Sequence, residues 1–149
     1  MVKKNGLNLK YFSKDFIKDK EIALSAVQQN GFAIKFVENS LKKDRAIVLA
    51  AVKNEGLALE FADKLLKKDK EIVIEAVRND GFAIANADYK YLDDKEVAIE
   101  AIKNNTGAFL LLNKKLTEDK DIINLAGLGN KTSKTKNNLI VVTCQTKKE

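Results

Sequence analysis

Residues Asp44 to Asp69 read D-RAIVLAAVKNE-G-LALEFADKLLKK-D, and the order of caps and apolar positions inside that stretch decides the fold. Asp44 is a favoured N-cap whose carboxylate can accept from the free amides of a first helical turn. Gly56 stands where a left-handed residue ends a helix, so the spacing predicts a helix of about ten residues between the two. Ile47, Val48, Leu49, Ala51 and Val52 spread over roughly half of its circumference, wider than a helix covered on one side needs. After the glycine, Leu57, Ala58, Leu59, Phe61, Ala62, Leu65 and Leu66 form a second, shorter apolar-periodic stretch that closes at the next N-cap, Asp69. The unit is a helical hairpin.

The same 25-residue unit returns in register at Asp19, Asp44, Asp69, Asp94 and Asp119, each followed seven residues later by Ala26, Ala51, Ala76, Ala101 and Ala126. Units this short cannot bury their apolar face alone and must stack. The expected fold class is all-α: a right-handed-type α-solenoid of about five helical-hairpin repeats over residues 1–126, with a non-repeat C-terminal tail over 127–149. Small columns, Ala26 to Ala101 on the long helix and Ala33, Ala58, Ala83 and Ala108 on the short arm, allow close approach. Leu9, Ile34, Leu59, Ile84 and Phe109, with Phe16, Leu41, Leu66, Tyr91 and Leu116, fill the space between. Tyr11, Phe36 and Phe61 share one column and Phe32 and Phe82 another, so the aromatics read as core and not as base-stacking platforms.

The last unit is degenerate. Thr106 stands in the column of Gly6, Gly31, Gly56 and Gly81, Asn124 replaces an aliphatic residue, and Gly127 with Gly129 cuts the final helix short. Terminal repeats are expected to be atypical because their outer face meets water. Beyond Gly127 a polar, lysine-dotted linker precedes the β-prone run Leu139–Thr143. That run reads either as a flexible stretch folding back as a cap or as a peptide or strand offered to a partner.

The recurring A-V-x-x-N-G-x-A-L core, present as Ala26-Val27-Gln28-Gln29-Asn30-Gly31-Phe32-Ala33-Ile34 and again around Gly56 and Gly81, resembles a domain-of-unknown-function family of short helical repeats found in bacterial, protist and large-virus proteins. The resemblance covers about residues 1–126. It implies an all-helical repeat and no established activity, and it carries over no functional residue.

Composition removes several function classes. With no histidine and a single cysteine, Cys144, neither a Ser-His or Cys-His nucleophile pair nor a common zinc ligand set can be assembled. The stretch Gly127–Thr132 lacks the Gly-Lys-Ser/Thr order and the strand-to-helix context of a phosphate loop. The periodic acids explain themselves as N-caps or, at Glu21, Glu71, Glu96 and Asp121, as first-turn acids complementing the helix dipole. No catalysis, cofactor, metal or small-molecule substrate is therefore expected. Met1–Phe12 carries no apolar run, so no membrane span is expected, and the lone cysteine suits a reduced cytoplasm.

Charge is mixed: 27 basic residues face 21 acidic ones, for a net of +6. Only Arg45 and Arg78 are arginine, and the scarcity of that planar fork counts against sequence-specific nucleic-acid recognition. Two features remain as candidate sites. One is a pair of cationic columns: Lys3, Lys53, Arg78 and Lys103, interrupted by Gln28, and Lys20, Arg45, Lys70, Lys95 and Lys120. These read either as a solvated face or as ladders whose potentials add across stacked helices. The other is the break in repeat four, where Tyr89 replaces a polar residue and Leu92-Asp93 replaces Lys-Lys, read either as drift or as an interface.

Lys53, Arg78, Lys103, Tyr89, Leu92 and Asp93 are the candidate partner-binding residues. The leading expectation is a non-catalytic scaffold that binds another protein. The alternatives are binding of an RNA or DNA backbone along the lysine ladders, or a small phage-type stoichiometric inhibitor of a nucleic-acid-processing, anti-CRISPR-like machine.

Overall fold

The computed structural model describes residues 6–11 and 13–129. Each N-cap aspartate opens an α-helix: α1 Lys20–Gln29, α2 Arg45–Asn54, α3 Lys70–Asn79, α4 Lys95–Asn104 and α5 Lys120–Leu125, so that α1 belongs to repeat two. Each starts as the N-cap aspartate requires. Asp44 accepts from the Ala46 and Ile47 amides at 3.0 and 3.3 Å, and Asp19, Asp69, Asp94 and Asp119 repeat the arrangement.

The second arm of each hairpin is helical and mostly tighter than an α-helix, with short α-helical turns only at Lys14–Ile17 and Lys114–Thr117 among the described residues. It has 3-10 segments at Gly31–Phe36, Gly56–Phe61, Gly81–Asn86 and Thr106–Leu111, followed in repeats two to four by Leu41–Lys43, Leu66–Lys68 and Tyr89–Asp93. A three-residue turn aligns positions i and i+3, which is how Leu59 and Ala62 reach the same buried face. No strand occurs among the described residues.

Consecutive units pack α-helix on α-helix and 3-10 arm on 3-10 arm, so the repeats stack as an α-solenoid. Ala26, Ala51, Ala76 and Ala101 are fully buried, as are Ala33, Ala58, Ala83 and Ala108. The core is a continuous aliphatic ribbon, and among the described residues no polar or charged residue is buried in it. The seams are also closed by main chain. Glu38 N–H donates to Ile17 O at 3.0 Å, and the pattern recurs from Asp63 to Lys42, Asp88 to Lys67 and Asn113 to Leu92.

The repeat glycine does not end its helix in the left-handed region, and this corrects the sequence expectation. Helix α2 stops when Glu55 turns extended, and Gly56 then opens the 3-10 arm. Its hydrogen side chain is required by proximity. A Cβ at Gly56 would collide with the Ala76 carbonyl oxygen and lie 2.9 Å from the Asp80 nitrogen of the next repeat. Among the described residues the one positive φ is at Gly127, +73°. There Leu128 N–H reaches Ile123 O and Gly127 N–H reaches Asn124 O, both at 3.0 Å, which closes α5 in a Schellman motif.

The same glycine seam holds a ladder of asparagines. Gly31 N–H donates to Asn54 Oδ1 at 2.8 Å, Gly56 to Asn79 at 2.6 Å and Gly81 to Asn104 at 2.7 Å. Each asparagine then donates its amide group back to the preceding α-helix, at Gln28 O, Lys53 O or Arg78 O. The ladder ends where the last unit degenerates: Gly129 occupies the asparagine position, and Thr106 is exposed where its glycine counterparts are buried.

Not every periodic aromatic is core. Tyr11 is 77% exposed, and Phe82 is 42% exposed because the matching position of the next repeat is Gly107. Phe61 behaves as expected, half-buried and edge-on to Phe32 with ring centroids 6.5 Å apart. Lys3, the β-prone run 139–143 and Cys144 lie outside the described residues.

Candidate functional site

The cationic columns are laced into the seams. Asp44, Asp69, Asp94 and Asp119 each use Oδ1 for their own helix and turn Oδ2 to the cation one repeat back. Lys20 meets Asp44 at 2.6 Å, Arg45 Asp69 at 2.9 Å, Lys70 Asp94 at 2.7 Å and Lys95 Asp119 at 2.9 Å. The first-turn acids add a second contact, Arg45 to Glu71, Lys70 to Glu96 and Lys95 to Asp121. Glu71, Glu96 and Asp121 therefore do more than complement a helix dipole. Lys120 forms no ion pair among the described residues.

These pairs shift the carboxyls. The Lys20 ammonium holds Asp44 below its ordinary range, and Lys95 does the same for Asp119. At Asp69 and Asp94 partial burial pushes the other way but is outweighed by Arg45 or Lys70 together with two backbone amides. Lys70 is raised in return, chiefly by Asp94.

At the C-terminal ends of the helices the second column forms a zigzag. Lys53 lies 3.8 Å from Glu75, Arg78 lies 3.2 Å from Glu75 and 2.7 Å from Glu100, and Lys103 lies 2.9 Å from Glu100. Arg78 and Lys103 together hold the Glu100 carboxyl below its usual range. Lys53, Arg78 and Lys103 are thus brought together, with acids interleaved between them.

Tyr89, Leu92 and Asp93 lie on a different edge. They belong to the 3-10 segment Tyr89–Asp93, which leads into the N-terminus of α4, about 15 Å along a ten-residue helix axis from the zigzag. Within this segment Tyr91 is buried and donates its hydroxyl to Lys68 O at 2.5 Å. Leu92 is half-buried against the core, Asp93 is exposed and Tyr89 is 79% exposed. Sequence reasoning missed Leu65, one repeat earlier, which is 75% exposed. The signal was present, since its column otherwise holds Ser40, Lys90 and Lys115.

On the same edge, repeats two and three enclose a depression of about 470 Å³ rimmed by Lys42, Lys43 and Lys64, with Phe61 and Ala62 among its lining residues. Lys35 Nζ sits 5.7 Å above the Phe61 ring. None of these four lysines forms an ion pair among the described residues. No group of three or more carboxylate, cysteine or histidine side chains that could hold a metal ion occurs there either, and no helix is long and apolar enough to cross a membrane.

Comparison with known families matches residues 1–42 and 44–92 to a single model, described as Domain of unknown function (DUF4116). The chain belongs to that family. Each matched segment spans close to two hairpins, and the second begins at the Asp44 N-cap. The repeats beyond Leu92 are joined to the matched ones by the same asparagine, backbone and ion-pair seams. No curated protein and no solved structure matches the chain.

Proposed function

We propose that the chain is a non-catalytic helical-repeat scaffold that binds another protein through the 3-10 edge of repeats two to four. The observation that carries this reading is the exposure of Leu65 and Tyr89 on neighbouring turns. At both positions the other repeats carry polar residues, so stacking does not need the apolar surface. An exposed tyrosine and an exposed leucine on the edge that also carries Lys42, Lys43 and Lys64 supply apolar contact area with a polar surround, as an interface needs. The shifted carboxyls do not suggest chemistry, because the cation of the preceding repeat accounts for each N-cap.

Backbone binding of RNA or DNA is the second reading. Along the two ladders it is weakened by the interleaved acids, which leaves the lysines around Phe61 as its support.

The test is cross-linking of the tagged full chain in native extract, comparing wild type with the double variant Leu65→Ser/Tyr89→Ala by quantitative mass spectrometry. Specific proteins recovered with wild type and depleted at least about tenfold with the variant are expected. Equal recovery with both would overturn the reading.

A further inference from the structure

We propose that the partner of this edge presents an acidic peptide segment, laid across the lysine rim of repeats two and three with one apolar side chain in the depression that Phe61 and Ala62 help to line. This rests on the protein-binding reading and specifies the chemistry of its partner.

Across the seams, Lys20, Arg45, Lys70 and Lys95 meet the acids of the next repeat, and Lys53, Arg78 and Lys103 share Glu75 and Glu100. Lys42, Lys43 and Lys64 surround the depression without such partners. Asp63, which also lines the depression, is engaged at Oδ1 by the Leu65 amide at 3.0 Å. Unpaired ammonium groups around a partly apolar hollow fit a chain that brings carboxylates and a hydrophobic side chain together.

The patch is also short. In repeat four the same edge carries Asp88 and Asp93, and Asp88 takes up Lys68 at 3.6 Å. A nucleic-acid backbone needs a basic track along which phosphates repeat, and here repeat four interrupts it, setting Asp88 and Asp93 around its one lysine, Lys90. Stacked helices lie about 8–10 Å apart, so about three residues of extended peptide span from one repeat to the next.

The aromatic ring is not a stacking platform. Lys35 covers one face of Phe61, and Phe32 meets the ring at an interplanar angle of 80°. No arginine borders the hollow to grip a phosphate with a planar fork.

The experiment is fluorescence anisotropy on the full chain with three labelled probes: a nine-residue Glu/Asp peptide with a central Leu, its Gln/Asn counterpart, and a short oligothymidylate. The acidic peptide should bind, the neutral one at least about tenfold more weakly, and affinity should fall with salt. Lys42→Glu/Lys64→Glu should lose at least about tenfold for the acidic peptide, while the charge-matched Lys10→Glu/Lys120→Glu, exposed at the two ends of the stack, stays within about twofold.

Equal binding of the acidic and neutral peptides, or no binding of either, overturns the proposal. So does oligothymidylate binding more tightly than the peptide with the same sensitivity to Lys42 and Lys64, which assigns the rim to nucleic acid. If the acidic peptide fails while Leu65 and Tyr89 still control capture of a cellular protein, the acidic chemistry falls and the scaffold reading stands. If both fail, both readings fall.

Discussion

Asn79 and Gly56, 23 residues apart, form one element of the repeat seam: the asparagine carbonyl takes the Gly56 N–H at 2.6 Å while its amide group donates to Lys53 O at 3.0 Å. Asn79→Ala strands a part-buried N–H and should cost about 1–3 kcal/mol. Asn79→Asp keeps the acceptor but loses the donor, so its cost should be smaller. Urea unfolding followed by circular dichroism measures both, with Asn54→Ala and Asn104→Ala expected to behave like Asn79→Ala.

Two glycines should respond to alanine for unrelated reasons. At Gly81 the added Cβ would meet the Ala101 carbonyl and lie 3.1 Å from Asn105 Cβ, so adjacent repeats would have to separate. A loss of about 3 kcal/mol is expected. At Gly127 nothing lies within 4 Å, and only the positive φ opposes a side chain. Gly127→Ala should cost about 1 kcal/mol, and Gly127→Asn less.

The contrast between those glycines shows where the sequence was readable. N-caps act through amides two and three residues away, so Asp44 and its equivalents could be placed from local spacing, and the alanine columns followed from the period. The glycine column was equally visible, but its cause lies in the next repeat's Ala76 carbonyl, which no local rule reveals. Ion pairs escaped for a related reason. Arg45 meets residues 24 and 26 positions on, so the contacts run diagonally between columns and a column-by-column reading makes lysine ladders out of paired charges. Tyr89 stood out by replacing a lysine, whereas Leu65 was absorbed into an apolar-periodic stretch before its column was compared.

Acid should loosen the stack before base does. Asp44, Asp69, Asp94, Asp119 and Glu100 are held below their unfolded values of about 3.9 and 4.3, so their contribution is fully present above that range and is lost as pH falls through the lower folded values. With no histidine to titrate, Tm should be nearly flat from about pH 6 to 9 and drop below about pH 4. Lys70→Gln removes a main cause of the Asp94 depression and should make the acid limb shallower. Thermal melts across pH 2–9 check the sign, since a stability that rises on acidification contradicts the pairing.

Tyr91 replaces the leucine of the two preceding repeats and keeps its buried place by donating to Lys68 O at 2.5 Å. Removing that donor in Tyr91→Phe should cost about 1 kcal/mol, because the carbonyl keeps only the longer contact from Lys90 Nζ at 3.3 Å. A fall in the urea midpoint without a change in slope would locate the loss in the native state.

Leu65 and Tyr89 should separate binding from folding. Both are more than 70% exposed, so Leu65→Ser and Tyr89→Ala should leave unfolding free energy within about 0.5 kcal/mol of wild type. Leu59, six residues before Leu65 and fully buried, should lose about 2–5 kcal/mol on truncation to alanine. Leu65→Ser takes the residue that already stands in that column at Ser40, and Tyr89→Ala removes a ring that no other repeat carries there. Partner capture that falls while the melting curve stays put would place these side chains in recognition. A drop in Tm comparable to that of Leu59→Ala would make them packing residues and remove the surface on which the proposed function rests.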